Sequence, residues 1–165
     1  MTAASATQDT PIGPFTTIVD AQERVLASGW TADVEGLRML VHPAIRPDTV
    51  RTCADLGAIT AAVDAYHRGE LDRIDEIAVA QRSGEFLMHA WNVLRTVEPG
   101  KPVTYSQFAE LSGRPAAIRG AASACARNAT ALFVPCHRVV RIGGALGGFR
   151  WGLPVKTWLL THEQV

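Results

Sequence analysis

The sequence predicts an α/β (α+β) protein, with a small sheet-plus-helix region followed by a mainly helical one. Three observations predict it. Two β-rich runs, 15–19 (Phe-Thr-Thr-Ile-Val) and 25–27 (Val-Leu-Ala), flank a polar turn at 20–23 and read as a hairpin. Leu56, Ile59, Val63 and Tyr66 fall at helical spacing. From residue 83 onward, capping and breaking residues mark four helices in succession.

Each element has its own signal. Residues 1–10 are small and polar, without a basic stretch leading into an apolar core, so they read as a frayed tail and not as a secretory signal. Residues 36–40 read as a further strand. Asp48 is suited to cap a helix running through Tyr66, with Gly69 near its end. A charged connection spans 71–82. Ser83 then caps a helix carrying Phe86, Ala90, Val93, Leu94 and Val97, which Pro99-Gly100 ends. A short helix at 106–111 is stopped by Gly113, and Pro115 suits the first turn of another at 116–127. Two short helices around this break form a helix-turn-helix candidate, although an ordinary helical hairpin gives the same pattern. The apolar run 131–134 reads as a buried strand and 139–141 as another. Gly143, Gly144, Gly147 and Gly148 make a flexible loop of close approach. Pro154 opens a last helix at 155–162.

Composition narrows the function. No apolar run approaches the ~18 residues that a membrane helix needs. Cys53, Cys125 and Cys136 are odd in number and widely spaced, without a CxxC pair or zinc-site spacing, which points to a reducing cytosol. Cys53 and Cys125 read as small core residues. The net charge of +0 hides an asymmetry. Residues 1–99 carry 8 Lys/Arg against 14 Asp/Glu, a net of −6, and residues 100–165 carry 8 against 2, a net of +6. A basic half suits a polyanion-binding surface, and chance distribution over a solvated face is the competing account.

Pro135-Cys136-His137-Arg138 lies in that basic half. A thiol beside an imidazole is a candidate activated nucleophile, because only the thiolate reacts and a nearby imidazole lowers its pKa. A buried inert cysteine and a zinc ligand are the other readings of the motif alone.

Residues 83–163 resemble the O6-alkylguanine-DNA alkyltransferases, also called methylated-DNA–protein-cysteine methyltransferases. The resemblance is carried by 86–91 with Val93-Leu94, Pro99-Gly100 with Val103-Thr104-Tyr105, Ala117-Ile118-Arg119, Asn128, Pro135-Cys136-His137-Arg138-Val139-Val140 and the tail 152–163. Residues 10–15 are weakly similar to the family's opening strand. The resemblance implies a ribonuclease H-like α/β domain over 1–80 and an alkyltransferase domain over 81–165 with a winged helix-turn-helix-like DNA-binding element. It implies repair by irreversible transfer of the alkyl group from O6-alkylguanine, with O4-alkylthymine as a further substrate to consider, onto Cys136 in a single turnover.

The implied roles follow residue by residue. His137 is the base, acting through a bridging water, Glu163 orients it, and Tyr105 assists the departing guanine. Arg119 is the finger that fills the stack after the base is flipped from the minor-groove side. Ala117, Gly120 and Ala122, with Tyr105, Ser106 and Gln107, face DNA. Asn128, Pro135, Arg138, Val139, Phe149, Arg150, Trp151 and Lys156 build and brace the pocket. No metal or organic cofactor is implied. The partner is double-stranded DNA containing alkylated guanine, bound by a monomer with cooperativity left open. The location is cytoplasmic, on the nucleoid if the source is prokaryotic.

Departures from the family bear on rate and substrate range more than on reaction class. Phe149 stands where a tyrosine is frequent. Arg150 and Trp151 replace small residues, and their bulk is expected to narrow the pocket. Ala129 replaces a proline and Ala122 a glycine. A non-catalytic alkyltransferase-like sensor is the alternative, and Cys136 argues against it. A cysteine hydrolase would need an oxyanion hole that has no signature here. A methylation-responsive transcription factor would need a cysteine-rich metal domain for which there is no room.

Overall fold

The computed structural model describes residues 1–164. The chain divides into two compact units, one of Met1–Arg82 with Ala129–Phe133, the other of Ser83–Asn128 with Val134 onward.

The first unit is built on a mixed sheet. Strands β1 (Thr2–Thr10), β2 (Gly13–Val19), β3 (Val25–Gly29) and β4 (Thr49–Thr52) lie in the order β3-β2-β1-β4. β1 runs antiparallel to β2 and parallel to β4, with Ala4 opposite both Val19 and Arg51. The first ten residues are therefore an interior strand, not a frayed tail. Ala3, Ser5 and Ala6 are buried in it. The β2–β3 turn is closed by Asp20, whose Oδ1 accepts from the backbone N–H groups of Gln22 and Arg24, each at 2.9 Å.

Residues 36–40 are helical, contrary to the strand expected. Asp33 caps helix α1 (Val34–Leu40) by accepting from Gly36 N at 3.0 Å, and Glu35 pairs with Arg38 one turn on. Asp48 does not cap a helix. The β-branched stretch after it is β4, and α2 (Ala58–His67) starts only after Gly57, whose φ of 65° suits glycine. Cys53, expected in the core, directly follows β4 and is only partly buried. Phe15, Trp30, Tyr66 and His67 form the aromatic centre, with Phe15 and Trp30 edge to face at 5.0 Å.

The apolar run 131–134 is buried but is a turn, not a strand, with Leu132 at φ 77°. The segment is tied down through Ala131 and, just before it, Ala129. Ser28 Oγ donates to Ala131 O at 2.7 Å, Ser28 N donates to Ala129 O at 2.9 Å, and Ala129 N donates to Gln81 Oε1 at 2.9 Å.

The second unit holds α3 (Glu85–Leu94), α4 (Tyr105–Leu111), α5 (Ile118–Ala126) and α6 (Leu153–His162). A two-stranded parallel ladder joins β5 (Val103–Thr104) to β6 (Val139–Val140), with Val103 opposite Val139. The expected cap Ser83 is displaced by one residue, and Gly84 fills the cap position without a side-chain bond. α4 is fixed by a capping box in which Thr104 Oγ1 accepts from Gln107 N at 3.1 Å and Gln107 Oε1 accepts from Thr104 N at 2.8 Å. α4 and α5 pack together across residues 112–117. α3 packs closely on α5, where a Cβ added at Gly120 would lie 2.8 Å from the Phe86 ring. Among the described residues no helix is long and apolar enough to cross a membrane.

Thr104→Ala removes the box that starts α4 and should destabilise the protein by about 1 kcal/mol, read as a lower denaturant midpoint. An unchanged midpoint would show that packing alone sets the start of this helix.

Candidate active site

Cys136 opens a 3₁₀ turn, Cys136–Arg138, which follows Pro135 and leads directly into β6. Its N–H donates to Val134 O at 2.8 Å. The turn buries three consecutive side chains, Cys136 at a cavity and His137 and Arg138 on one carboxylate.

His137 is fully buried, and its Nε2 lies 2.8 Å from Glu163 Oε2. An ionised carboxylate only accepts, so Nε2 carries the proton and Nδ1 keeps its lone pair. Nδ1 is buried without a hydrogen-bond partner among the described residues. Arg138 makes a fork onto the same carboxylate, from Nε to Oε1 at 3.0 Å and from Nη2 to Oε2 at 2.9 Å, while Nη1 donates to Val97 O at 2.7 Å. Glu163 follows the last turn of α6 and donates its own N–H to Leu159 O. Burial pushes the Glu163 carboxyl up. The His137 hydrogen bond and the Arg138 fork outweigh burial and hold it far down, at about 2. Burial likewise holds His137 below its ordinary value, so it is neutral at pH 7.

Burial also raises the Cys136 thiol, against a hydrogen bond from the Asn128 side chain and the charges of Lys156 and Arg150. Asn128 follows α5 and donates Nδ2 to Val134 O at 2.8 Å, which ties the end of that helix to the residues before the thiol. Lys156 is buried on α6. Its ammonium donates to Val139 O at 2.8 Å, to Leu146 O and to Gly148 O at 3.4 Å. It therefore pins the glycine-rich loop to β6.

Cys136 opens onto a cavity of about 360 Å³, which falls in the range of small-molecule sites. One wall is the α5 face of Ala122, Cys125 and Ala126, and the loop residues Gly148, Phe149, Arg150 and Trp151 also line it. Tyr105, half-buried at the start of α4, closes one side. A Cβ at Gly147, which has φ 71°, would lie 3.1 Å from its hydroxyl. The Arg150 guanidinium bonds the carbonyls of Asn128 and Ala126, so the cavity stays open beside it. Cys125 was expected in the core. It is only half-buried and lines this cavity, and its i, i+3 relation to Ala122 is the signal that could have shown it.

The residues expected to meet DNA lie along α4 and α5. Arg119 and Ala122 are exposed on α5, and Ala117 and Gly120 are partly exposed. Ser106 is partly exposed, and the Gln107 side chain is engaged in the capping box. Arg114, which the sequence did not single out, stacks over Phe86 at 5.1 Å. Trp158 lies on α6. It is partly exposed and stacks on His162 at 4.4 Å.

The profile of the 6-O-methylguanine DNA methyltransferase DNA-binding domain matches residues 85–165. A methylated-DNA–protein-cysteine methyltransferase of Shigella flexneri is 33% identical over 156 residues, which cover 93% of this chain and 91% of the relative.

The chain belongs to the methylated-DNA–protein-cysteine methyltransferase family.

A methyltransferase of the same name from Mycobacterium bovis is 34% identical over 161 residues, covering 96% of this chain and 90% of that one. The solved structure of Mycobacterium tuberculosis OGT in complex with DNA aligns with a TM-score of 0.80 at 25% identity, covering 98% of this chain and 92% of that one. Among the described residues of this methyltransferase-family chain, no group of three or more His, Cys, Asp or Glu side chains is placed to hold a metal ion.

The Glu163 arrangement sets a pH dependence. A carboxyl depressed from 4.5 to about 2 stabilises the fold fully above pH 4.5 and loses that contribution as pH falls toward 2. Glu163→Gln leaves the Arg138 charge uncompensated and should cost about 3–5 kcal/mol at pH 7. In denaturant titrations the gap to the wild type should close below pH 4. Equal stability at pH 7 would show that the fork contributes nothing net.

Proposed function

We propose that the protein repairs DNA by moving the alkyl group of O6-alkylguanine irreversibly onto Cys136. The observation that carries this reading is the Cys136 thiol opening onto the 360 Å³ cavity, next to a neutral His137 held by Glu163. Displacement at an alkyl carbon needs a soft thiolate, yet burial keeps this thiol protonated at rest. The Nδ1 lone pair of His137 takes the proton through a bridging water, while Nε2–H stays on Glu163. Cys136 Sγ then bonds to the alkyl carbon as the carbon–O6 bond breaks. Guanine leaves with the bonding pair, and the Tyr105 hydroxyl donates to its ring. The thioether has no leaving group for a second step, so one molecule repairs one lesion.

The buried O6 position of stacked DNA requires the nucleotide to be flipped out. Arg119, exposed on α5, fills the gap left behind, and the small exposed Ala122 allows close approach to a minor groove. Of the eight cations in residues 100–165, Arg138 and Lys156 are buried in the site. Lys101 pairs with Glu98 and Arg150 is bound to backbone carbonyls, which leaves Arg114, Arg119, Arg127 and Arg141 to meet phosphates.

Intact-protein mass spectrometry after incubation with an O6-methylguanine duplex tests the reaction. One methyl group, mapped to Cys136 and absent in Cys136→Ser, is the expected result. Tight, lesion-selective binding without a mass change would establish the non-catalytic sensor instead. Arg119→Ala should slow reaction with the duplex by at least about tenfold, one interaction on the free-energy scale, and leave reaction with the free alkylated base nearly unchanged. Equal loss on both would remove the finger role.

A further inference from the structure

The loop carrying Phe149, Arg150 and Trp151 faces the α5 residues Ala122, Cys125 and Ala126 across the cavity. Arg150 spans the gap with hydrogen bonds. Its Nη2 donates to Ala126 O at 2.5 Å and its Nη1 to Asn128 O at 3.2 Å. Ala126 is the last residue of α5, where carbonyls lack helical partners and the helix dipole favours a cation. Asn128 is the residue whose side chain holds Val134 O and bonds the thiol. One guanidinium therefore joins the lip of the pocket, the end of the helix proposed to meet DNA and the residue that braces the nucleophile. On the far side of the same loop, Lys156 holds Leu146 and Gly148 to Val139 through their carbonyls. The loop is thus fixed from two sides by cations bound to backbone oxygens, and Arg150 is the fixing point on the α5 side.

We propose that Arg150 is a positioning residue whose two-point bond to the carbonyls of Ala126 and Asn128 fixes the width of the pocket and so limits the size of alkyl group that can reach Cys136. Its bulk is not what narrows the site, because the side chain is directed at the end of α5. The fork geometry is essential. Arginine can bridge two carbonyls from one planar group, and lysine offers a single ammonium in its place.

This inference rests on the alkyl-transfer reading, and the experiment separates the two. Single-turnover rates with free O6-methylguanine and free O6-benzylguanine are measured for the wild type, Arg150→Ala, Arg150→Gln and Arg150→Lys, with Cys136 alkylation read by mass. Free bases exclude any effect on DNA binding. Releasing the tether should raise the benzyl-to-methyl rate ratio by at least about tenfold in Arg150→Ala and Arg150→Gln, the scale of one charged hydrogen bond. Arg150→Lys should behave like them. General loosening of the fold would slow both substrates together and leave the ratio in place. Ratios within about twofold of the wild type in the folded variants, or a wild-type ratio in Arg150→Lys, would overturn the proposal. No alkylation of the wild type by either base or by the methylated duplex would instead overturn the alkyl-transfer reading itself.

Discussion

The second unit depends on one carboxylate. Glu163 accepts from His137 and takes a two-pronged bond from Arg138, and all three groups are removed from water. A buried guanidinium without a counter-ion would be strongly unfavourable, and a buried imidazole without a fixed acceptor would have no defined tautomer. Glu163 resolves both. The third arm of Arg138, on Val97 O, extends the network to the chain that follows α3. The consequence for chemistry is directional. With Nε2 committed to Glu163, the basic lone pair is on Nδ1.

The remaining electrostatics of the site follow a different rule. Lys156 and Arg150 are satisfied by backbone carbonyls, not by carboxylates. Neither charge is cancelled by its hydrogen-bond partners, and both favour negative charge at Cys136. Burial wins at rest and the thiol keeps its proton, which makes it less open to oxidation. The two cations lower the cost of ionising it.

Contiguity decided what was legible in the sequence. Cys136, His137 and Arg138 are adjacent, so a thiol beside an imidazole could be read from the chain. Glu163 is 26 residues from His137, and nothing local distinguishes it from a solvated glutamate near the end of a helix. β1 is not legible as a strand because its Ala, Ser, Thr and Gln residues carry little apolar signal, and its stability comes from having neighbours on both sides. The choice between Asp33 and Asp48 as a helix cap is equally non-local, since pairing with β1 claims the residues after Asp48 for a strand. Arg150 shows the limit for long side chains. Its volume was readable, but its direction was not.

The chain leaves the second unit after Asn128, contributes residues 129–133 to the first, and returns at Val134. Ser28 thus finds its partner Ala131 at a separation of 103 residues. During synthesis the first unit cannot be finished when its own sheet emerges. It waits for all of α3, α4 and α5 to be made, and the closing step carries the loop entropy of a long separation. The first unit is completed at residue 133, and the second only when α6 and Glu163 follow, so a ribosome stalled before residue 129 would hold neither unit whole.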